Sequence, residues 1–246
     1  MVENHFRRRL RKGASFFVAP PACGLGAAGG GSHHAAPPLL SMPMTQDRPP
    51  LRKALREHRR ALAPATRINA AQALAERILA LPFLPAEGYV AGYWAMDGEI
   101  GLHVLQLQLP AGLVWCLPVL DGDRLRFAPW RAGDALVTNR FGIPEPDVEP
   151  SSALAPEAMS LVVMPLVGFD RRCQRLGMGG GWYDRSLAFR RDRAAPPWLV
   201  GAGFSVQQVD ALEGADWDVI PDAICTESQT LLRPGASTPH RETDPA

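Results

Sequence analysis

No stretch of the 246 residues reaches the run of about 18 apolar positions that a membrane-spanning helix needs, so no membrane association is expected. Cysteine is scarce and scattered. Cys23, Cys116, Cys173 and Cys225 form no C-x2-C pair, which argues against a zinc site or a disulfide framework and favours a reducing, cytoplasmic setting. Lysine is nearly missing, with Lys53 alone after Lys12. Neither sign of charge dominates. Residues 1–46 carry five of the 26 Lys+Arg and one of the 25 Asp+Glu, which leaves 21 bases against 24 acids in the rest. That balance does not favour nucleic-acid binding. No G-K-[ST] closes the one glycine-rich stretch, so it is not a Walker A loop. Gly177 and Gly179 also lack the continuation of a dinucleotide fingerprint.

The ends differ from the body. Residues 1–46 are basic and then rich in Gly, Ala and Pro, as expected of a disordered extension, a mis-assigned start or a targeting peptide. Residues 233–246 read as a disordered tail. A single catalytic domain is expected over 47–232.

Within it, Leu51, Leu55 and Leu62 predict a helix from Pro49, with His58 on the same face. Thr66 is placed to cap a second helix with Ile68, Ala71, Ala75 and Ile78 inward, ended by Leu81-Pro82. Strands are expected at 89–94, 113–119, 125–130, 160–169, 198–204 and 223–228, and helices at 99–109, 182–189 and 205–212. Residues 141–146, FGIPEP, are too rich in Gly and Pro for a regular element. SLVVMPLVGF, 160–169, is apolar at alternate and intervening positions alike, as a parallel strand covered on both faces must be. The alternation predicts an α/β fold with a mostly parallel or mixed sheet flanked by helices.

RLGMGGGWYDR, 175–185, has four glycines within five residues, between cations and beside an acid and two aromatic rings. A glycine loop lets backbone N–H groups converge on an anion, and a helix start adds more. Arg175 and Arg185 bracket it. Asp184 suits a magnesium ion carried on phosphates, which takes a carboxylate, water and phosphate oxygens. A tight turn with a surface Asp–Arg pair is the alternative. Arg52, Arg56 and Arg60 fall one turn apart and repel, so solvent or a polyanion must offset them. Glu99 follows a candidate strand and can accept paired N–H donors or start a helix. Trp94, Trp130, Trp182 and Tyr183 can wall a flat ligand or fill core. Glu145 reads as a solvent-facing loop carboxylate, and Cys116 as inert core.

PLVGFDRRCQRLGMGGGWYDR, 165–185, resembles the signature of the 5-formyltetrahydrofolate cyclo-ligase family, also called methenyltetrahydrofolate synthetases. The R-x-x-x-R of Arg52 and Arg56, Glu99, Pro118, FGIPEP, Asp218 and Thr226-Glu227 recur in the expected order. The resemblance runs from about Leu51 to Leu231. It implies a three-layer α/β fold similar to sugar-phosphate isomerase-like domains. It also implies ATP-dependent cyclisation of 5-formyltetrahydrofolate, with or without a polyglutamate tail, to 5,10-methenyltetrahydrofolate, ADP and phosphate. ATP would lie on Gly177, Met178, Gly179, Gly180, Gly181, Trp182 and Tyr183, with Arg52, Arg56 and Arg175. Catalytic roles fall on Arg175, Arg56 and Tyr183. Glu99, Trp182 and Tyr183 would bind the folate, and Asp184 would hold Mg²⁺. A cytoplasmic monomer is expected. Cys173 stands where many members have glycine, Trp182 replaces the commoner tyrosine, and Met178 and Gly180 replace basic residues of some members. A phosphosugar-isomerase-like enzyme and a non-catalytic nucleotide-binding module are the alternatives.

Overall fold

A computed structural model describes residues 48–235; the expectations for residues 1–46, and for the tail past 235, lie outside the described residues. Helix α1 (Arg48–Arg60) buries Leu51, Leu55 and Arg59, positions four apart and hence on one face. His58 is exposed, so the buried polar residue of this helix is Arg59. Helix α2 (Pro64–Leu79) begins ahead of Thr66. Pro64 opens its first turn, where a missing N–H costs nothing, and no side chain caps it, because the N-cap residue, Ala63, carries no acceptor. It buries Ala70, Ala71, Leu74, Ala75 and Ile78, while Ile68 faces out.

Next come β1 (Gly88–Ala91), the short α3 (His103–Gln108), β2 (Leu113–Asp121) and β3 (Arg124–Pro129). FGIPEP is more regular than its composition suggests. β4 (Leu136–Thr138) pairs antiparallel with β5 (Pro144–Pro146), an edge ribbon in which proline is tolerated. β6 (Leu161–Pro165) ends sooner than the apolar run. Leu166 and Val167 have left the sheet, and their carbonyls accept from Gln207 Nε2 at 2.8 and 2.9 Å. The rest of the run and the start of the glycine stretch form a hairpin, β7 (Gly168–Phe169) with β8 (Arg175–Leu176). Helix α4 (Trp182–Ser186) is one turn and a half, followed by a 3₁₀ turn at Ala188–Arg191. After β9 (Trp198–Ala202), the expected helix over 205–212 is only a 3₁₀ turn, Ser205–Gln207. Gln207 is spent on Leu166 and Val167 and on the Phe204 N–H, which accounts for the arrest. β10 (Ala223–Cys225) stops before Thr226, and β11 (Thr230–Leu232) was not anticipated. Arg233, assigned to the tail from sequence, still binds Asp222 through its backbone N–H and its guanidinium, at 2.9 and 2.6 Å.

The seven-stranded sheet has the order β11-β10-β9-β6-β1-β2-β3. β10, β9, β6, β1 and β2 run parallel, and β11 and β3 are antiparallel edges. The sheet is therefore mixed. Its faces alternate as the pleat requires. Val90, Trp115, Leu161 and Val163 join the core under α2 and α3, whereas Ala91, Cys116, Val162 and Met164 join the core with Leu187 after α4. Among the described residues no helix is long and apolar enough to cross a membrane. Cys116, Cys173 and Cys225 are buried and unpaired.

Candidate active site

From β1 the chain moves to β2 on one side and later to β6 on the other. Such a reversal opens a crevice at the carboxyl ends of the two central strands. A cavity of about 340 Å³ lies there. Tyr93, Trp94 and Met96 enter it from the segment after β1, and Leu166 and Val167 from the segment after β6. Arg52, Glu99, Glu145, Arg175, Asp184 and the loop Gly177–Gly181 complete most of its polar wall.

The loop is set by the β7–β8 hairpin. Buried Asp170 closes that hairpin, accepting from the N–H groups of Arg172, Gln174 and Leu212 at 2.8, 3.0 and 3.1 Å. Cys173 sits in the turn at φ 64°. A left-handed conformation costs a non-glycine residue roughly 1–2 kcal/mol, a physical reason to expect glycine at this position. Arg175 then leaves β8 with its guanidinium bonded to Asp184 and to the Val219 carbonyl, the latter at 3.3 Å. The Asp184 Oδ1 also accepts from Val219 N–H at 3.1 Å. Its partner is therefore Arg175, almost fully buried, and the surface-pair alternative fails on that point. Arg52 reaches from α1 to donate to the Gly177 carbonyl at 2.8 Å.

Gly179 and Gly181 have φ of 100° and 65°, which only glycine adopts without strain. A Cβ on Gly180 would meet Trp182 at 2.8 Å. Among the described residues, no backbone N–H of Gly177–Gly181 donates within the chain. Burial and the neighbouring Arg48 both disfavour the Arg52 cation, with Asp218 only partly offsetting them. An anion on this loop would supply the missing counter-charge.

Within the arginine row of α1, Arg56 and Arg60 are offset by a carboxylate of the chain itself and remain partly exposed, whereas Arg52 has no carboxylate partner among the described residues. Asp97 takes Arg56 Nε at 2.7 Å, Arg59 Nη2 at 3.0 Å, and Arg60 as well. Asp97 and Gly98 both have positive φ, 51° and 75°, the turn that an Asp-Gly pair favours. Glu99 closes this turn by accepting from Met96 N–H at 3.0 Å, with Arg59 at 3.7 Å. Burial raises the Glu99 carboxyl, while the Met96 N–H and the Arg59 and Arg56 cations pull it back. Burial, then Glu99, raises Tyr93 and Tyr183 as well; Arg175 opposes this at Tyr183. The network thus presents the half-buried Glu99 carboxylate to the cavity, beside Asp97.

Of the residues that the family resemblance assigns to the site, all but Arg56 line the cavity, while Arg60, Trp130 and Arg185, singled out on pattern alone, lie off its wall. Arg56 stands behind Asp97. Trp182 packs edge-on against Phe141 at 5.5 Å, under the guanidinium groups of Arg140 and Arg185. Met178 is half exposed on the loop. Trp94 lines the cavity, and Trp130 supports it edge-on from outside. Glu145 is not a solvent-facing loop residue. It lies half-buried in β5, where its Oε2 accepts from Leu120 N–H at 3.2 Å and Asn139 Nδ2 at 3.0 Å. Cys116 is core, its thiol pushed by burial to about 12. Sequence reasoning missed Arg59, Asp97, Asn139 and Phe141. For Arg59 the signal existed, since it is in phase with Leu51 and Leu55.

An α/β domain with free loop N–H groups and arginines on one wall, and a half-buried carboxylate on another, is built to hold an anionic ligand beside one that donates hydrogen bonds. The chain belongs to the 5-formyltetrahydrofolate cyclo-ligase family, whose model matches residues 44–227. It is 35% identical over 179 residues to the 5-formyltetrahydrofolate cyclo-ligase of Escherichia coli K12, covering 71% of this chain and 97% of that one. The Haemophilus influenzae cyclo-ligase is 33% identical over 180 residues, covering 71% and 95%. The fold is similar to that of 5,10-methenyltetrahydrofolate synthetase from Aquifex aeolicus, with TM-score 0.65, 27% identity and coverage of 80% of this chain and 99% of the other. It also resembles, as a fold, the Mycoplasma pneumoniae synthetase, with TM-score 0.54 and 23% identity, covering 74% and 99%.

Proposed function

We propose that this chain is an ATP-dependent 5-formyltetrahydrofolate cyclo-ligase that forms 5,10-methenyltetrahydrofolate, ADP and phosphate. The observation that carries this is the meeting, in one cavity, of the Gly177–Gly181 loop and its arginines with the half-buried Glu99. The formyl group on N5 is an amide, with a poor electrophilic carbon and a poor leaving oxygen. Phosphorylation of that oxygen by ATP improves both. N10 then attacks the carbon, the ring closes, and phosphate leaves.

The protein's task is alignment and charge compensation. The loop N–H groups, Arg52 and Arg175 take the phosphates. Arg56 acts through Asp97, which it holds in place. Glu99 accepts from the pterin N–H groups and so orients the formyl oxygen. Trp182 and Tyr183 border the folate, and Tyr183 stays a neutral hydroxyl able to donate. The donor set at Asp184 fits magnesium. Its Oδ1 is used by Arg175 and Val219, its Oδ2 has no partner among the described residues, and phosphates and water would provide the remaining ligands. Bound there, Mg²⁺ would neutralise phosphate charge. The proposal extends to a folate with or without a polyglutamate tail as substrate, and to a cytoplasmic monomer as the working form.

The test is to follow the methenyl product's absorbance with 5-formyltetrahydrofolate, with and without MgATP. Product only with MgATP supports the proposal. ATP binding without any product would reduce the chain to a nucleotide-binding module.

A further inference from the structure

Ring closure leaves one proton without a destination. N10 carries a hydrogen when it attacks, and the methenyl product carries none there. Once N10 has bonded to the formyl carbon it is a cationic ammonium centre. Its proton must go to a base while the C–O bond breaks and phosphate departs with the electron pair.

Five carboxylates line the cavity. Asp97 holds three arginines, Asp184 pairs with Arg175, Asp218 pairs with Arg48 at 3.2 Å, and Glu99 lies 3.7 Å from Arg59. Glu145 alone has no cation partner among the described residues. A paired carboxylate is a poor base, because its cation stabilises the ionised form. Glu145 is also held in place. Its Oε2 takes two neutral N–H donors, and Oε1 takes none within the described chain. Asn139 is itself fixed, since its Oδ1 accepts from the N–H groups of Phe141 and Ile143 at 2.9 and 3.2 Å. The β4–β5 ribbon therefore presents a preorganised, unpaired carboxylate to the space where the substrate would lie.

We propose that Glu145 is the general base that removes the N10 proton during ring closure, a step that rests on the reaction proposed above. The N10–H bond breaks and its electron pair stays on nitrogen. The proton passes to Glu145 and then to solvent, and the formyl oxygen leaves as phosphate.

Glu145→Gln keeps an oxygen able to accept from Leu120 and Asn139, so its melting temperature should match the parent. Single-turnover mixing with MgATP and 5-formyltetrahydrofolate separates the steps. The variant should form ADP at close to the parental rate, while methenyl formation falls by about 10²–10⁴-fold, the usual contribution of a positioned base. Added formate should restore part of the methenyl rate in Glu145→Ala and none of it in Glu145→Gln, whose site is filled. Equal losses of ADP and methenyl formation would overturn the proposal and assign Glu145 to binding. Methenyl formation within about threefold of the parent would leave the proton to phosphate or solvent, and a base of this kind at Glu145 would be excluded. If the parent itself forms neither product, the reaction assignment fails rather than the role of Glu145.

Discussion

Asp97→Asn removes one negative charge from the junction of three arginines, while asparagine keeps the size and tolerates the left-handed backbone that Asp97 adopts. Arg59 decides the cost, because its side chain has no solvent exposure. Breaking a buried ion pair from one side costs about 3–5 kcal/mol. Arg59 would keep the carbonyls of residue 97 and Leu166, at 3.0 and 3.3 Å, and Glu99 at 3.7 Å, so the lower end, about 3 kcal/mol, is expected. Arg56 and Arg60 are 33% and 50% exposed, and their share is screened by solvent and small. For a domain of this size each kcal/mol moves the melting temperature by about 2–4 °C, so the variant should melt roughly 6–12 °C lower. Thermal unfolding at low and high salt is the assay, and the loss should persist at high salt because Arg59 is beyond its reach. A shift below about 2 °C, or one erased by salt, would refute the reasoning.

Glu99→Gln should weaken folate use about 10- to 150-fold, the loss of a charge-assisted hydrogen bond of roughly 1.5–3 kcal/mol, and leave ATP binding nearly unchanged, as folate and ATP titrations would read. Burial raises the Glu99 carboxyl in the folded state, so its favourable contribution holds at acid pH and is lost as the pH rises through its folded value. Melting curves should therefore favour the variant over the parent increasingly from acid to neutral pH. Asp184→Asn should lower turnover and raise the magnesium needed for half-maximal rate, with a melting curve to account for the buried Arg175 left without its charged partner. Gly179→Ala, forced to φ 100°, should impair ATP use more than binding of the folate alone. Burial pushes the thiols of Cys116, Cys173 and Cys225 up to about 12, 11 and 12. In a Cys23→Ser chain at pH 8, a thiol reagent should thus label nothing until the protein is unfolded.

The central strands and the glycine loop were legible because each carries its signal locally. Leu161–Pro165 is apolar on both faces, and four glycines between cations leave few other uses. Elements fixed by distant partners were not. The sheet loses Leu166 and Val167 to the side chain of Gln207, forty residues away, and no period in the sequence records that. β5 and β8 are too short, at three and two residues, to show alternation. Arg59 was hidden because arginine in an arginine-rich helix is normally solvated, although its spacing from Leu51 and Leu55 already placed it inward. Asp97 was missed because nothing local marks it as the acid that reconciles Arg56, Arg59 and Arg60, some forty residues earlier in the chain. Glu145 looked exposed because proline and glycine around it suggested a loop rather than an edge ribbon.

The most direct measurement is the absorbance of the methenyl product over time with the purified chain, 5-formyltetrahydrofolate and MgATP, alongside ADP release. Product and ADP should appear in equal amounts, and neither should form when ATP or the folate is left out. ADP without methenyl product, or no turnover from a protein whose melting curve shows it folded, would contradict the account.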